Sequence, residues 1–119
     1  MALIVLMEDD AATRMLVASV LKKDGYDVMS ADNGAAGLAL VRAHLPDLVI
    51  SDVRMPGSLD GLDLLAIVRG EYPALPVIIV SGHLRPSQAL ADGATQFLAK
   101  PYALETMLQA ITAELRKPT

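Results

Sequence analysis

Five short apolar runs recur along the chain, and the segments between them carry helical rather than strand spacing. The runs are ALIVLM (2–7), YDVMSA (26–31), DLVISD (47–52), PVIIVS (76–81) and TQFLAK (95–100). Apolar runs this short, rich in Val, Ile and Leu, read as strands, and continuous ones as strands buried on both faces. In the first intervening segment Leu16, Val20 and Lys23 lie along one ridge beside Val17 and Leu21, and Gly25 stops it. In the second, Leu38 and Val41 carry the stripe and Leu45-Pro46 ends it. Leu62, Leu65 and Val68 mark the third, with Tyr72-Pro73 beyond. Pro86 to Asp92 leaves room for about two helical turns. The last segment, Leu104 to Lys117, sets Met107, Leu108 and Ile111 on one face. The alternation predicts one α/β domain over 1–119, a (βα)5 doubly wound parallel sheet with right-handed crossovers.

Composition narrows the function. The chain has 119 residues, 53% of them apolar and 20% charged, enough for one core. It has no cysteine, which excludes a disulfide framework, a thiolate zinc site and a cysteine nucleophile. MALIVLMEDD is too short and wrongly flanked for a signal peptide or membrane span, so a cytoplasmic location is expected. A net charge of −4, no basic run and no Trp argue against direct contact with nucleic acid.

In open α/β sheets, sites form at the carboxyl ends of the strands. Here those ends carry Glu8-Asp9-Asp10, Asp52, Ser81-Gly82-His83 and Lys100-Pro101. Taken singly, the acids would be helix caps, Ser81 a loop residue and Lys100 a surface lysine. Together they put several carboxylates, one hydroxyl and one ammonium on one edge. Crowded carboxylates repel by several kcal/mol in a partly dry cleft, and a divalent cation relieves that. Oxygen-only ligands favour Mg²⁺ over zinc. A metal, a free carboxylate and a lysine suit phosphoryl transfer, with Asp52 as nucleophile.

These residues carry a resemblance. VLMEDD with a following Arg14, then SDVRMPG, VSG and KPY, resemble over the whole chain the receiver domain of two-component response regulators. The resemblance implies a flavodoxin-like strand order 2-1-3-4-5. It implies that Asp52 accepts a phosphoryl group from the phosphohistidine of a sensor histidine kinase or phosphotransfer protein. Glu8 and Asp9 would hold Mg²⁺ with the Asp52 carboxylate and the backbone carbonyl of Arg54. Ser81 would hydrogen-bond the phosphoryl group and Lys100 would pair with it. Ser81 and Phe97 would form the switch, and Lys100-Pro101 would be a cis peptide. Asp10 matches an acidic position that is not a usual ligand.

Three departures accompany the match. The MPGSLDG loop is one residue longer than the usual pattern. The spacing from Ser81 to Lys100 is shorter than usual, so a short or distorted fourth helix is expected. Phe97 lacks the hydroxyl of a tyrosine. Arg54 and His83, each two positions beyond a site residue, are assigned modulating roles. Arg54 would screen the acyl phosphate or touch the kinase, and His83 would carry a pH-dependent charge. His44 reads as a surface residue at a helix end. A second copy of the chain is a further expected partner. One alternative is a receiver excised from a hybrid sensor kinase or longer regulator. Another is a small aspartyl-phosphate phosphatase similar to the haloacid dehalogenases, against which Asp52-Val53-Arg54 lacks the second aspartate of D-x-D. A third is a degenerate receiver that only docks, against which the acidic pair, Asp52 and Lys100 are all present.

Overall fold

Strands β1 (Leu3–Met7), β2 (Asp27–Ala31), β3 (Leu48–Asp52), β4 (Val77–Ser81) and β5 (Gln96–Ala99) pair in parallel in the order β2-β1-β3-β4-β5. The computed structural model describes residues 2–57, 59–82 and 86–116. The helices are α1 (Ala11–Lys23), α2 (Gly34–His44), α3 (Gly61–Glu71), α4 (Pro86–Ala91) and α5 (Leu104–Leu115). This is the doubly wound flavodoxin-like arrangement expected from the alternation and the resemblance, and α4 is the short fourth helix, with six residues.

The period of two along each strand sorts the core into two layers. Val5, Met7, Val49 and Ile79 face Leu38, Val41, Leu64, Leu65 and Val68 of α2 and α3. Ile4, Leu6, Ile50 and Ile78 face Val17 and Leu21 of α1 and Met107 and Ile111 of α5. Every residue of β3 and β4 is buried, because helices cover both faces of the central strands. Edge strand β2 is only partly covered, matching its weaker apolar run. Each fully buried Leu or Ile contributes about 1.5–3 kcal/mol relative to exposure. The core therefore holds the strand ends rigidly.

The helix ends follow local chemistry. Asp10, Asn33 and Asp60 cap α1, α2 and α3 by accepting backbone N–H bonds from Thr13, Ala36 and Asp63. Asp60 and Asp63 complete a reciprocal capping box. Leu45 closes α2 in the left-handed region at φ 47°, with Pro46 behind it, and His44 is exposed as expected.

One helix face differs from the sequence reading. Leu16 is 56% exposed and Val20 only half-buried, so the buried stripe of α1 is Val17 and Leu21 rather than the Leu16–Val20 ridge. α1 meets the sheet through one narrow stripe, and a neighbouring ridge 100° away points outward. In α3, Leu65 and Val68 are fully buried as expected, and Leu64 joins them, while Leu62 packs only partly buried against the same layer.

Candidate functional site

Asp52 is the last residue of β3 and is 8% exposed. Its backbone is held from several sides. The Ser51 hydroxyl donates to the Asp52 carbonyl at 2.9 Å, and the Val53 N–H donates to the Val80 carbonyl at 3.2 Å. The N–H of Gly61, at the start of α3, donates to the Val53 carbonyl at 2.8 Å. A Cβ at residue 61 would stand 2.2 Å from the Asp52 carbonyl oxygen, so only glycine lets α3 begin this close to the strand. The carboxylate at residue 52 is thus presented by a strand end with little freedom.

Glu8 follows β1 and is also buried. Its N–H donates to the Ala31 carbonyl at 3.1 Å, and its Oε2 accepts the Asp10 N–H at 3.2 Å. Asp9 is exposed at the rim. Carboxylate oxygens of Glu8, Asp9 and Asp52 lie within 4.8 Å of one another. Lys100 reaches in from beyond β5. Its Nζ pairs with Asp52 Oδ2 and stands 3.6 Å from Glu8 Oε1. The Lys100 N–H donates to the Ser81 carbonyl at 3.0 Å, and the Lys100-Pro101 peptide is cis, as the resemblance implied.

Charge is out of balance here: three carboxylates face one ammonium. Burial pushes the Glu8 carboxyl up, the Asp10 N–H opposes that, and the neighbouring Asp9 and Asp52 carboxylates reinforce it. Burial also draws the Lys100 ammonium down, but its bonds to Asp52 and Glu8 outweigh this and hold its pKa above the ordinary lysine value. The lysine stays charged at neutral pH. A donor set of three carboxylates, with neither sulfur nor imidazole, fits a hard cation such as Mg²⁺.

Ser81 ends β4, buried, in register with Ala99, beside the strand that carries Asp52. Phe97 lies on β5, half-buried against the core layer that α2 and α3 cover. Arg54 stands in the loop leaving β3 with its side chain exposed. His83 and Ser58 lie outside the described residues. Asp10 caps α1, and the bonds from Thr13 hold its carboxyl below the usual range. Two neighbours were not foreseen. Tyr102, half-buried, lines a small cavity with Glu8 and Asp52, and burial pushes its phenol up. Arg14, noted only as part of a motif, donates to the Glu8 carbonyl at 2.9 Å.

The model of the response regulator receiver domain matches residues 4–112. The response regulator protein FleR of Pseudomonas aeruginosa is 34% identical over 113 residues, which cover 92% of this chain and 24% of FleR. The response regulator MprA of Mycolicibacterium vanbaalenii is 35% identical over 119 residues, covering 98% of this chain and 51% of that protein. The chain thus spans a quarter to a half of these relatives. The crystal structure of the NtrX receiver domain from Brucella abortus superposes with a TM-score of 0.89 at 31% identity, over 97% of this chain and 99% of that one.

Proposed function

Because the chain belongs to the response regulator receiver family, we propose that it works as a phosphorylation-driven switch with Asp52 as the phosphoryl acceptor. The observation that supports this most is the meeting of Asp52 with Glu8, Asp9 and Lys100 at one sheet edge. A carboxylate oxygen of Asp52 attacks the phosphorus of a phosphohistidine on a sensor histidine kinase or phosphotransfer protein. The new O–P bond forms as the P–N bond breaks, and the imidazole leaves with its electron pair and takes up a proton. Glu8, Asp9 and Asp52, with the backbone carbonyl of Arg54, would hold Mg²⁺. When bound, that ion supplies positive charge against the phosphoryl oxygens.

Lys100 neutralises a further oxygen and moves from the carboxylate to the phosphoryl group. The Ser81 hydroxyl donates to the same group. Its movement toward the site opens space into which Phe97 turns, and the surface of α4, β5 and α5 changes with it. A few kcal/mol of differential interaction between the two states is enough. A partner protein, or a second copy of the chain, reads that surface. Arg54 and His83 tune the lifetime of the acyl phosphate, which water hydrolyses to restore Asp52. No helix among the described residues is long and apolar enough to cross a membrane, and the switch is expected to act in the cytoplasm.

Intact-mass spectrometry after incubation with acetyl phosphate tests the reading. One added phosphoryl group in the presence of Mg²⁺, and none with a chelator, is expected. An adduct indifferent to the chelator removes the metal from the account.

A further inference from the structure

The turn between β1 and α1 carries both acidic residues of the site, and a cation outside the carboxylate set holds its shape. Arg14, in the first turn of α1, donates from Nη1 to the backbone carbonyl of Glu8 at 2.9 Å. Strand pairing reaches the Glu8 N–H, which donates to Ala31. The Glu8 carbonyl belongs to the next peptide unit, past the end of β1, and takes the guanidinium instead. That unit is the plane joining Glu8 to Asp9. A peptide plane is rigid, so the direction of this carbonyl fixes ψ of Glu8 and φ of Asp9 together.

The following plane, between Asp9 and Asp10, is held through its N–H, which donates to Glu8 Oε2 at 3.2 Å. Asp10 then anchors the turn to α1 by accepting from the N–H of Thr13 at 2.8 Å and from its hydroxyl at 2.6 Å. Asp9 is itself exposed, yet it sits between two peptide planes that are each tied to a side chain. The direction in which its Cα–Cβ bond leaves the chain follows from those ties.

We propose that Arg14 is a positioning residue for the acidic pair: by holding the Glu8 carbonyl it keeps the Glu8 and Asp9 carboxylates turned toward Asp52 and so sets the affinity of the site for a divalent cation. This rests on the Mg²⁺ reading above and adds to it a residue that touches neither the ion nor the phosphoryl group. Charge alone gives the opposite sign. A guanidinium acting only through its field repels Mg²⁺, so its loss would tighten binding. Acting through geometry, its loss weakens binding.

Calorimetric titration of Mg²⁺ into the full chain separates the two, alongside amide hydrogen exchange of the metal-free protein. Arg14→Met keeps most of the apolar stem and loses donor and charge. Its Mg²⁺ affinity is expected to fall by about tenfold or more, the size of loss seen when a group orienting metal ligands is removed. The Asp10 N–H is expected to exchange faster in the same variant. Arg14→Lys, which restores a donor and the charge, recovers most of the affinity. Unchanged or tighter binding by a folded Arg14→Met overturns the proposal. Should Arg14→Met not fold, Arg14→Gln, too short to span to the carbonyl, carries the same expectation and the same refutation. Failure of the wild-type chain to bind Mg²⁺ overturns the metal reading itself, and is told apart because no variant is then needed to see it.

Discussion

The ammonium of Lys100, carried past the end of β5, lies on Oδ2 of Asp52 at the end of β3, with β4 between the two strands. It also stands 3.6 Å from Glu8. In this state the lysine occupies part of the negative field that a divalent cation or a phosphoryl group would otherwise take. The pair therefore sets both the resting charge of the site and the competition for it.

Replacing Lys100 with Ala removes that competitor. Mg²⁺ affinity is expected to rise by at least about fivefold, since the Coulomb effect is about 1 kcal/mol even at the bulk-water limit. The yield of phosphorylated protein from a small phosphodonor should fall, because the phosphoryl oxygens lose their ammonium. Calorimetric titration and intact-mass measurement read the two effects, and weaker Mg²⁺ binding in this variant would contradict the competition.

Gly61 tests the rigidity of the Asp52 strand end. A methyl at residue 61 meets the Asp52 carbonyl oxygen at 2.2 Å, so α3 must shift outward. Gly61→Ala is expected to lose about 1–3 kcal/mol of stability, the usual cost of overpacking. Urea unfolding measures the loss. A variant as stable as wild type would show that the β3–α3 junction has slack.

Arg69 closes the opposite pole of the sheet. From α3 its guanidinium donates to the carbonyls of Gly93, Tyr72, Pro73 and Leu75, tying the α3–β4 loop to the turn before β5. Arg69→Ala leaves these carbonyls, all but that of Pro73 part-buried, to water and is expected to cost about 2 kcal/mol. Arg69→Lys recovers only part of it, since an ammonium cannot reproduce the planar fork. Equal urea midpoints for wild type and the lysine variant would refute the fork argument.

Arg42 and Glu71 give a pH signature far from the site. Arg42 bridges α2 to Glu71 at the end of α3, and its hydrogen bond holds the Glu71 carboxyl below its ordinary 4.5. A depressed carboxyl adds stability above its unfolded value and loses it as pH falls through the folded one. Carboxyl NMR should show Glu71 titrating low in the wild type and returning to the ordinary value in Arg42→Ala. Both groups are exposed, so the effect on stability is small and salt-sensitive.

Much of this molecule can be read from its sequence because burial writes a strong pattern. β3 and β4 are enclosed on both faces, and their uninterrupted apolar runs leave no other reading. The strand-end rule then brought Asp52 and Lys100 together across 48 positions of chain. Side-chain pairing without a period was not legible. Glu114 is buried on α5 and accepts from Gln96 Nε2 at 2.6 Å, although the helical stripe marks that position as merely polar. The bond from Arg14 to a carbonyl had no sequence signal either, because every residue carries the same acceptor. Leu16 misled for a related reason: hydropathy shows that a helix has an apolar side, while the neighbours it packs against decide which ridge is covered.

Locating the phosphoryl group tests Asp52 as its acceptor. The chain is phosphorylated with acetyl phosphate and Mg²⁺, reduced with borohydride, and mapped by peptide mass spectrometry, with Asp52→Asn treated in parallel. A homoserine at residue 52 is expected in the wild type, and no modified peptide in the variant. Reduction at another carboxylate, or equal labelling of Asp52→Asn, would contradict that assignment.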